Sequence, residues 1–256
     1  MFEHENVLYF HGLPGSPREL QLFGRIAKDR WYAPDRQALN RGVSLADHFD
    51  RLASDIRAGY PDRSIKVVGF SLGAYVALEV ASRLPDMSMT IDLVSAAAPL
   101  SGKEYLNRMA GKAVFALAAE HPRLFAALTY TQALASRIAP TLLCDALFAS
   151  AQGEDRGLCD NPMFRQTMAS IIADCLAADA SNYRREISGY VADWSRVLKT
   201  VRHPVTLWHG QMDNWAPPEM AEDLARSLPK VTALHRLTGK SHYSTLRAYQ
   251  LEAGVW

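Results

Sequence analysis

The sequence predicts an α/β fold in which a mostly parallel central sheet is flanked by helices and interrupted by an all-helical insertion. Strand-like runs alternate with helical patterns as far as Ala98, which is typical of a parallel sheet with helices on both faces. Between Ser101 and about Val201 the strand patterns stop and helical periodicity replaces them, and strands resume at Val205. A Gly-x-Ser-x-Gly turn at residues 69–73 joins a strand to a helix within the first region.

The predicted strands are short apolar runs on either side of the insertion. We expect strands at Val7–Phe10, 30–33, Ile65–Phe70 and 91–95, then one at Val205–Gly210 and, beyond a further helix, another. Inside the insertion, Asn161 followed by Pro162 has the pattern of a helix N-cap and a first-turn proline. Two apolar helix faces are predicted, one formed by Leu106, Met109, Ala113, Val114 and Leu117, the other by Phe164, Met168, Ile171, Ile172 and Cys175. The bulky side chains expected to pack between helices rather than line a pocket are Met109, Phe115, Phe125, Leu128 and Phe164.

The Gly-x-Ser-x-Gly turn presents Ser71 as a candidate nucleophile. A sharp turn from a strand into a helix pushes the serine hydroxyl out of the path of the backbone, and Gly69 and Gly73 leave the space that this turn needs. The alternative is that Ser71 is only a small residue in a tight turn. Because a serine hydroxyl attacks poorly without a base, the hypothesis requires a histidine and an orienting acid elsewhere in the chain.

Asp213 is the candidate acid, because it lies in the loop that leaves the predicted strand Val205–Gly210. Asp92 and Glu219 are the alternatives. Asp92 lies before or within its own strand, and Glu219 lies beyond two consecutive prolines, so we prefer Asp213.

His242 is the candidate base, and it follows the next helix and strand in a Gly-Lys-Ser-His-Tyr segment. His235 is the alternative, but it lies inside the preceding strand pattern and is expected to be structural. His11 and His209 are each followed by glycine, and we expect them to hold their loops through hydrogen bonds.

Acyl transfer also needs donors for the negative oxygen of its tetrahedral intermediate, and two backbone N–H groups are candidates for this oxyanion hole. The Leu72 N–H follows Ser71 at the positive end of the next helix. The Leu13 N–H lies in the glycine-bearing turn after the first strand, where Pro14 has no N–H to offer.

These motifs resemble those of the α/β-hydrolase superfamily in its single-chain form with a helical cap, over residues 7–100 and 200–250. The order serine, aspartate, histidine along the chain is also the order of that family, and differs from the orders of the chymotrypsin and subtilisin architectures. The matching segments are His-Gly-Leu-Pro-Gly at 11–15 for the oxyanion turn, 69–73 for the nucleophile elbow, 209–217 for the acid loop and Ala-Pro-Asp at 33–35 for the second strand-helix segment.

The resemblance implies a core made of residues 1–100 and 201–256 and a cap made of residues 101–200. Only about six residues precede the first strand, so we expect the antiparallel hairpin that usually opens this fold to be missing.

Family members acting as epoxide hydrolases or haloalkane dehalogenases have an aspartate where Ser71 stands. Its proline iminopeptidases have a glycine where Leu13 stands, which argues against a peptidase.

The resemblance implies a serine hydrolase with a Ser71-His242-Asp213 catalytic triad, and we expect it to cleave a small or medium carboxylic ester without a cofactor. Thioesterase, lactonase, carbon–carbon bond hydrolase and cofactor-free haloperoxidase activities are alternatives, because the same triad serves all of them. A ligand receptor that uses the capped pocket for binding is an alternative of a different class.

Composition narrows the classes of partner. The 256 residues are 48% apolar and carry a net charge of +1, without the basic cluster of a nucleic-acid-binding protein or the roughly 20-residue apolar stretch of a membrane helix. The acidic N-terminus lacks the pattern of a signal peptide, so we expect a cytoplasmic protein that acts on a small molecule, with its oligomeric state left open.

The histidines have no zinc-binding spacing, and no metal site is expected. The three cysteines, Cys144, Cys159 and Cys175, are expected to be buried thiols.

Overall fold

A computed structural model of the chain describes residues 7–23, 31–36, 42–61, 63–101, 104–176 and 180–252. Within these residues, six parallel strands form one sheet in the order β2-β1-β3-β4-β5-β6. The strands are β1 (Val7–Phe10), β2 (Trp31–Tyr32), β3 (Ile65–Phe70), β4 (Met89–Val94), β5 (Val205–Gly210) and β6 (Val231–Leu237). The predicted parallel sheet is confirmed. The expectation of a missing opening hairpin concerns residues 1–6, which lie outside the described residues.

Helices cover the sheet and fill the stretch between β4 and β5. Helices α1 (Leu45–Gly59), α2 (Gly73–Ser82), α9 (Glu219–Ser227) and α10 (His242–Glu252) accompany the strands. Between β4 and β5 lie α3 (Lys112–Glu120), α4 (Pro122–Ile138), α5 (Pro140–Phe148), α6 (Pro162–Cys175), α7 (Ser181–Val191) and α8 (Ser195–Leu198). Short 3-10 helices span Pro17–Gln21, Glu104–Arg108 and Gly153–Asp160. The described residues of 101–200 contain no strand, so the helical character expected of this insertion is confirmed.

The central strands β3 and β4 are buried along nearly their whole length, because helices cover both faces of the sheet. Each keeps one exposed position, Lys66 in β3 and Thr90 in β4. Since all six strands run in the same direction, their carboxyl ends meet at one edge of the sheet. The loops that follow β1, β3, β4, β5 and β6 therefore converge there.

Two sequence patterns in the insertion have different outcomes. The Asn161 side chain accepts hydrogen bonds from Met163 N at 3.0 Å and Phe164 N at 3.2 Å, so the predicted N-cap of α6 is confirmed. The apolar face predicted for α6 is buried as expected. The other predicted face is divided, because Leu106 lies in a 3-10 helix and Met109 follows it before α3 begins.

Side chains far apart in sequence attach the insertion to the sheet region. Arg36 and Glu186 form a completely buried, bidentate ion pair with two 3.0 Å contacts, and Arg36 Nη1 also donates to the carbonyl of His11 at 3.0 Å. Asp174 of α6 accepts from Ser16 Oγ at 3.1 Å and from Arg18 Nε at 2.6 Å. Both attachments end at the turn that follows β1.

Candidate active site

The turn from β3 into α2 gives Ser71 the backbone conformation expected of a nucleophile elbow. Ser71 has a φ of 55°, in the left-handed region that serine rarely adopts. A side chain on Gly69 would place its Cβ 2.8 Å from the Ala74 Cα, and one on Gly73 would lie 2.0 Å from the carbonyl oxygen of Phe10. The tight turn around Ser71 therefore requires both glycines.

Asp213 lies in the loop after β5, and its buried carboxylate faces His242. Its Oδ2 contacts His242 Nδ1 at 2.8 Å, while its Oδ1 accepts from Trp215 N and Ala216 N at 2.9 Å each. Burial alone would raise the pKa of Asp213, but the charge and hydrogen bond of His242, the nearby His209 and the Ala216 N–H outweigh burial and lower it. This carboxylate is therefore held in its ionised form.

His242 is the first residue of α10, and only 1% of its surface is exposed. Because an ionised carboxylate can only accept, the contact with Asp213 assigns the proton of neutral His242 to Nδ1 and leaves the lone pair on Nε2. The Trp215 ring stacks on the imidazole at a centroid distance of 5.4 Å, and the Phe70 ring lies 4.9 Å away. Ser95 Oγ donates to the His242 carbonyl at 3.0 Å.

Ser71 adjoins this pair through Phe70, its chain neighbour, and through the cavity that Ser71 and Trp215 both line. Among the described residues, Ser71 and His242 do not share a hydrogen bond. Hydrogen bonds between a nucleophile and its base often form only when substrate is bound.

The alternative acids and base lie away from His242: Asp92 is in β4, His235 is in β6, and Glu219 begins helix α9. Asp92 Oδ2 accepts from Tyr249 and pairs with Lys66 at 3.1 Å. Glu219 pairs with Arg108 at 2.7 Å, and the His235 ring stacks on Trp208 at 4.0 Å. None of these three side chains contacts His242 or lines the cavity described below.

The two expected oxyanion donors lie beside Ser71. Leu13 and Leu72 both line the same cavity as Ser71. Within the described residues, neither backbone N–H donates a hydrogen bond to the protein, so both are free for a ligand. The neighbouring Gly12 N–H is already used, because it donates to Glu19 Oε2 at 2.9 Å.

Sequence reasoning missed Glu19, whose side chain holds the turn after β1 through the Gly12 N–H. The carboxylate is completely buried and accepts from Tyr9 Oη at 2.7 Å as well as from Gly12. Burial raises the pKa of Glu19 to about 7, although these hydrogen bonds and Arg36 oppose the rise. Glu19 follows the predicted turn by only a few residues, but nothing in its sequence neighbourhood signals a buried carboxyl.

His11 and His209 contact their own loops, as expected from their sequence context. His11 Nδ1 lies 2.9 Å from the Gly12 carbonyl oxygen, and His209 Nε2 lies 2.8 Å from that of Ala216. Burial is the main reason that the pKa of each imidazole lies below its ordinary value. Both rings are therefore neutral at physiological pH.

A cavity of about 280 Å³ opens beside Ser71, between the carboxyl edge of the sheet and the insertion. Its walls are mostly apolar and include Leu143, Leu147, Ile172, Leu176 and Ile187. Met109 and Phe115 also line it, so the expectation that they only pack between helices was wrong. Gln132 adds a polar group, and its buried Oε1 has no partner among the described residues.

The remaining sequence expectations concern thiols, metals and membranes. Cys144 and Cys175 are buried free thiols, while Cys159 is only partly buried, with its sulfur 3.7 Å from that of Cys144. In the part of the chain that the structure describes, no cluster of histidine, cysteine or acidic side chains could hold a metal ion. The described helices include none with the length and apolar character needed to cross a membrane.

The family model and the fold together identify a hydrolase of the α/β-hydrolase superfamily. The chain belongs to the lipid-droplet associated hydrolase family, whose model matches residues 24–243. A comparison with curated proteins found no match.

Solved structures with the same fold include a bromoperoxidase and esterases. The bromoperoxidase from Bacillus anthracis has a TM-score of 0.65 and 17% identity, over 97% of this chain and 90% of that one. The esterase EaEST from Exiguobacterium antarcticum has a TM-score of 0.62 and 14% identity, over 98% and 89% of the two chains. A thermophilic esterase from Thermogutta terrifontis has a TM-score of 0.57 and 19% identity, over 97% and 89%. At these identities the likeness establishes the fold.

Proposed function

We propose that the protein is a serine hydrolase that cleaves a small or medium carboxylic ester through an acyl-enzyme, with Ser71 as nucleophile, His242 as base and Asp213 as orienting acid. The observation that carries the proposal is the 2.8 Å hydrogen bond between Asp213 and His242, placed next to a serine with a left-handed backbone at the wall of an apolar cavity.

In the first half-reaction, His242 Nε2 takes the proton of the Ser71 hydroxyl as its oxygen attacks the ester carbonyl. The negative oxygen of the tetrahedral intermediate accepts from the Leu13 and Leu72 N–H groups, which are free in this structure. His242 then gives its proton to the alkoxide leaving group, and the acyl group remains on Ser71.

In the second half-reaction, water replaces the alcohol. His242 takes a proton from this water as it attacks the acyl-enzyme, and returns the proton to Ser71 Oγ when the carboxylic acid leaves. The ionised Asp213 stabilises the imidazolium in both half-reactions and holds the imidazole ring in one orientation. The Asp213 carboxylate is itself held in place by hydrogen bonds from Trp215 N and Ala216 N.

The cavity supports an apolar acyl group of limited size. At about 280 Å³ it lies near the lower end of the range for small-molecule sites, and its walls are mostly apolar. We therefore expect short or medium acyl esters to be preferred over long-chain triglycerides. Thioesters, lactones and carbon–carbon bonds next to a carbonyl suit the same groups, and a receptor with this pocket is the alternative that is not an enzyme.

A lipid surface is a second candidate setting for this chemistry, because the family is named for lipid droplets. Large apolar side chains are exposed on the insertion: Leu124, Tyr130, Leu134, Ile138, Leu142 and Met163. Exposed apolar side chains that are concentrated in one region of a chain are expected where it contacts an apolar phase. Flotation with a triglyceride emulsion is expected to recover the wild type, and to lose an Ile138→Asp, Leu142→Asp double variant that keeps wild-type turnover of water-soluble esters.

The experiment that tests the proposed function is labelling with a fluorophosphonate probe, followed by a panel of p-nitrophenyl esters of increasing acyl length. We expect one label, at Ser71, and multiple turnovers with short and medium esters. Labelling of Ser71 without turnover of any ester, thioester or lactone would favour a receptor or a carbon–carbon bond hydrolase. Efficient hydrolysis of long-chain triglycerides would contradict the size limit.

A further inference from the structure

A short segment of the insertion reaches the start of the helix that carries His242. Asp155 lies in the 3-10 helix Gly153–Asp160 and is completely buried. Its two carboxylate oxygens accept hydrogen bonds from the backbone N–H groups of Tyr243, at 2.8 Å, and Ser244, at 2.7 Å. These two residues directly follow His242 in the first turn of α10.

Neighbouring contacts hold the same segment against the loop that precedes His242. The Glu154 N–H donates to the Gly239 carbonyl at 3.1 Å, and the Glu154 side chain pairs with Lys240 Nζ at 2.5 Å. Lys240 in turn contacts the acid loop, because its carbonyl accepts from Met212 N at 2.9 Å. The Gly153–Asp160 helix, the His242 loop and the Asp213 loop are thus joined directly.

The first N–H groups of a helix have no acceptor within the helix, and a carboxylate at that positive end is a strong acceptor. Asp155 satisfies two such groups from a segment 88 residues away in sequence. Burial raises the pKa of Asp155, while the hydrogen bonds from Ser244 and Tyr243 and the charge of His242 oppose the rise. Burying a carboxylate without hydrogen bonds has a high free-energy cost, and so does burying an unpaired N–H group. The contact therefore stabilises the positions of both Asp155 and the first turn of α10.

We propose that Asp155 is a positioning residue, which fixes the first turn of α10 and so aims the His242 imidazole between Asp213 and Ser71. Ser95 holds the His242 carbonyl from the sheet side, and Asp155 holds the following N–H groups from the insertion. The insertion then contributes to the alignment of the base as well as covering the site. The expected effect on rate rests on the proposed function, whereas the effect on the imidazole rests on the hydrogen bonds alone.

Two variants at this position and one control test the proposal. Asp155→Ala removes both acceptors, and Asp155→Asn keeps the shape of the side chain and one acceptor oxygen. Asp160→Asn removes an exposed carboxylate from the same 3-10 helix. We expect kcat per active site to fall by about 100-fold for Asp155→Ala and about tenfold for Asp155→Asn, with little change in KM for a p-nitrophenyl ester, because misplacing a reacting group costs rate rather than binding. Asp160→Asn is expected to match the wild type.

Titration with the fluorophosphonate separates positioning from folding. A merely structural role would reduce the number of sites that become labelled and leave kcat per labelled site unchanged. A positioning role leaves the final number of labelled sites unchanged and slows the labelling. Wild-type kcat per labelled site in the Asp155 variants would overturn the proposal, and Asp155→Asn carries the test if Asp155→Ala does not fold.

Proton NMR gives a readout that does not depend on activity. The proton shared by His242 Nδ1 and Asp213 is expected to give a low-field signal in the wild type and in Asp160→Asn, and to be weakened or lost in the Asp155 variants. If the wild type neither labels nor hydrolyses esters, the proposed function fails while this signal still decides the role of Asp155. An unchanged signal in both Asp155 variants would reject that role.

Discussion

Two buried carboxylates near Ser71 have pKa values that move in opposite directions. Burial by itself raises the pKa of both Asp213 and Glu19. Asp213 faces His242, and the charge and hydrogen bond of His242, the nearby His209 and the Ala216 N–H lower its pKa below the ordinary value. Among the described residues, Glu19 accepts hydrogen bonds from two neutral donors, Tyr9 and Gly12, and burial raises its pKa to about 7. The partners of each residue therefore decide its charge.

Glu19→Gln is expected to flatten the pH dependence of stability. The native pKa of about 7 lies above the unfolded value of 4.5, so between these pH values the folded protein holds a proton that the unfolded chain has lost. The free energy of unfolding of the wild type should therefore fall as pH rises through this window, by about 3 kcal/mol relative to the variant. Urea unfolding at pH 4 and pH 8 measures this difference.

The control for this experiment is Glu120→Gln, which removes an exposed carboxylate at the end of α3. Its unfolding free energy should follow the wild type at both pH values. Parallel pH curves for the wild type and Glu19→Gln would show that Glu19 does not titrate in this window.

Ser71→Ala and His242→Ala are each expected to lower kcat for a p-nitrophenyl ester by about 10⁴-fold or more, because the proposed mechanism has no other nucleophile or base. Asp213→Asn should lower kcat by a somewhat smaller factor. Initial rates measure the losses, and circular dichroism checks that each variant is folded. His235→Ala, at the alternative histidine, should keep its activity. Wild-type turnover in a folded Ser71→Ala protein would refute the assignment of the nucleophile.

At the scale of elements, a buried ion pair joins the segment after β2 to helix α7. Arg36 and Glu186 have less than about 2% of their surface exposed and are hydrogen-bonded in a bidentate geometry. Arg36 also donates to the His11 carbonyl, in the turn that carries the Leu13 N–H. The same guanidinium therefore links the insertion to the candidate oxyanion hole.

Arg36→Met is expected to lower the free energy of unfolding by about 3–5 kcal/mol, because it leaves the Glu186 carboxylate buried without its partner. Adding Glu186→Leu should recover more than half of this loss, since the double variant buries no unpaired charge. Urea unfolding of the single and the double variant measures both free energies.

The matched control for this pair is Arg108→Met, which breaks the exposed ion pair with Glu219. Arg108→Met should lower the free energy of unfolding by less than about 1 kcal/mol. A double variant no more stable than Arg36→Met alone would mean that the shape of the pair, and not its unpaired charge, decides stability.

At the scale of the whole molecule, the cavity lies where the loops at the carboxyl edge of the sheet meet the insertion. The sheet side contributes Ser71, Leu13 and Leu72, and the insertion contributes the apolar walls. The insertion therefore sets the size of the cavity beside Ser71, whereas the candidate nucleophile and oxyanion donors come from the sheet region.

Leu147→Ala, which shortens a side chain in the cavity wall, is expected to move the acyl-length optimum of kcat/KM upward by about two methylene groups, because the lost volume becomes available to the substrate. Leu142→Ala is the control. It lies on the same helix α5, but its side chain is exposed and outside the cavity. The p-nitrophenyl ester panel measures both, and an unchanged optimum in Leu147→Ala would place the acyl group elsewhere.

The features that depend on local backbone physics could be predicted from the order of the residues alone. The glycines around Ser71 predict a tight turn because any Cβ there meets neighbouring backbone, and Asn161 before a proline predicts a helix start because its side chain can reach the first free N–H groups. The alternation of strands and helices predicts the parallel sheet, and parallel strands bring the loops of Asp213 and His242 to one edge.

The contacts between side chains distant in sequence became evident from the three-dimensional packing. Arg36 and Glu186 are 150 residues apart, and Asp155 is 88 residues from Tyr243, so no local pattern relates them. The division of the helix face at Met109 also required the three-dimensional packing, which turns apolar side chains expected between helices into a cavity wall. A hydrogen bond or ion pair in the interior depends on the position of both partners, and a linear pattern specifies only the chemistry of each.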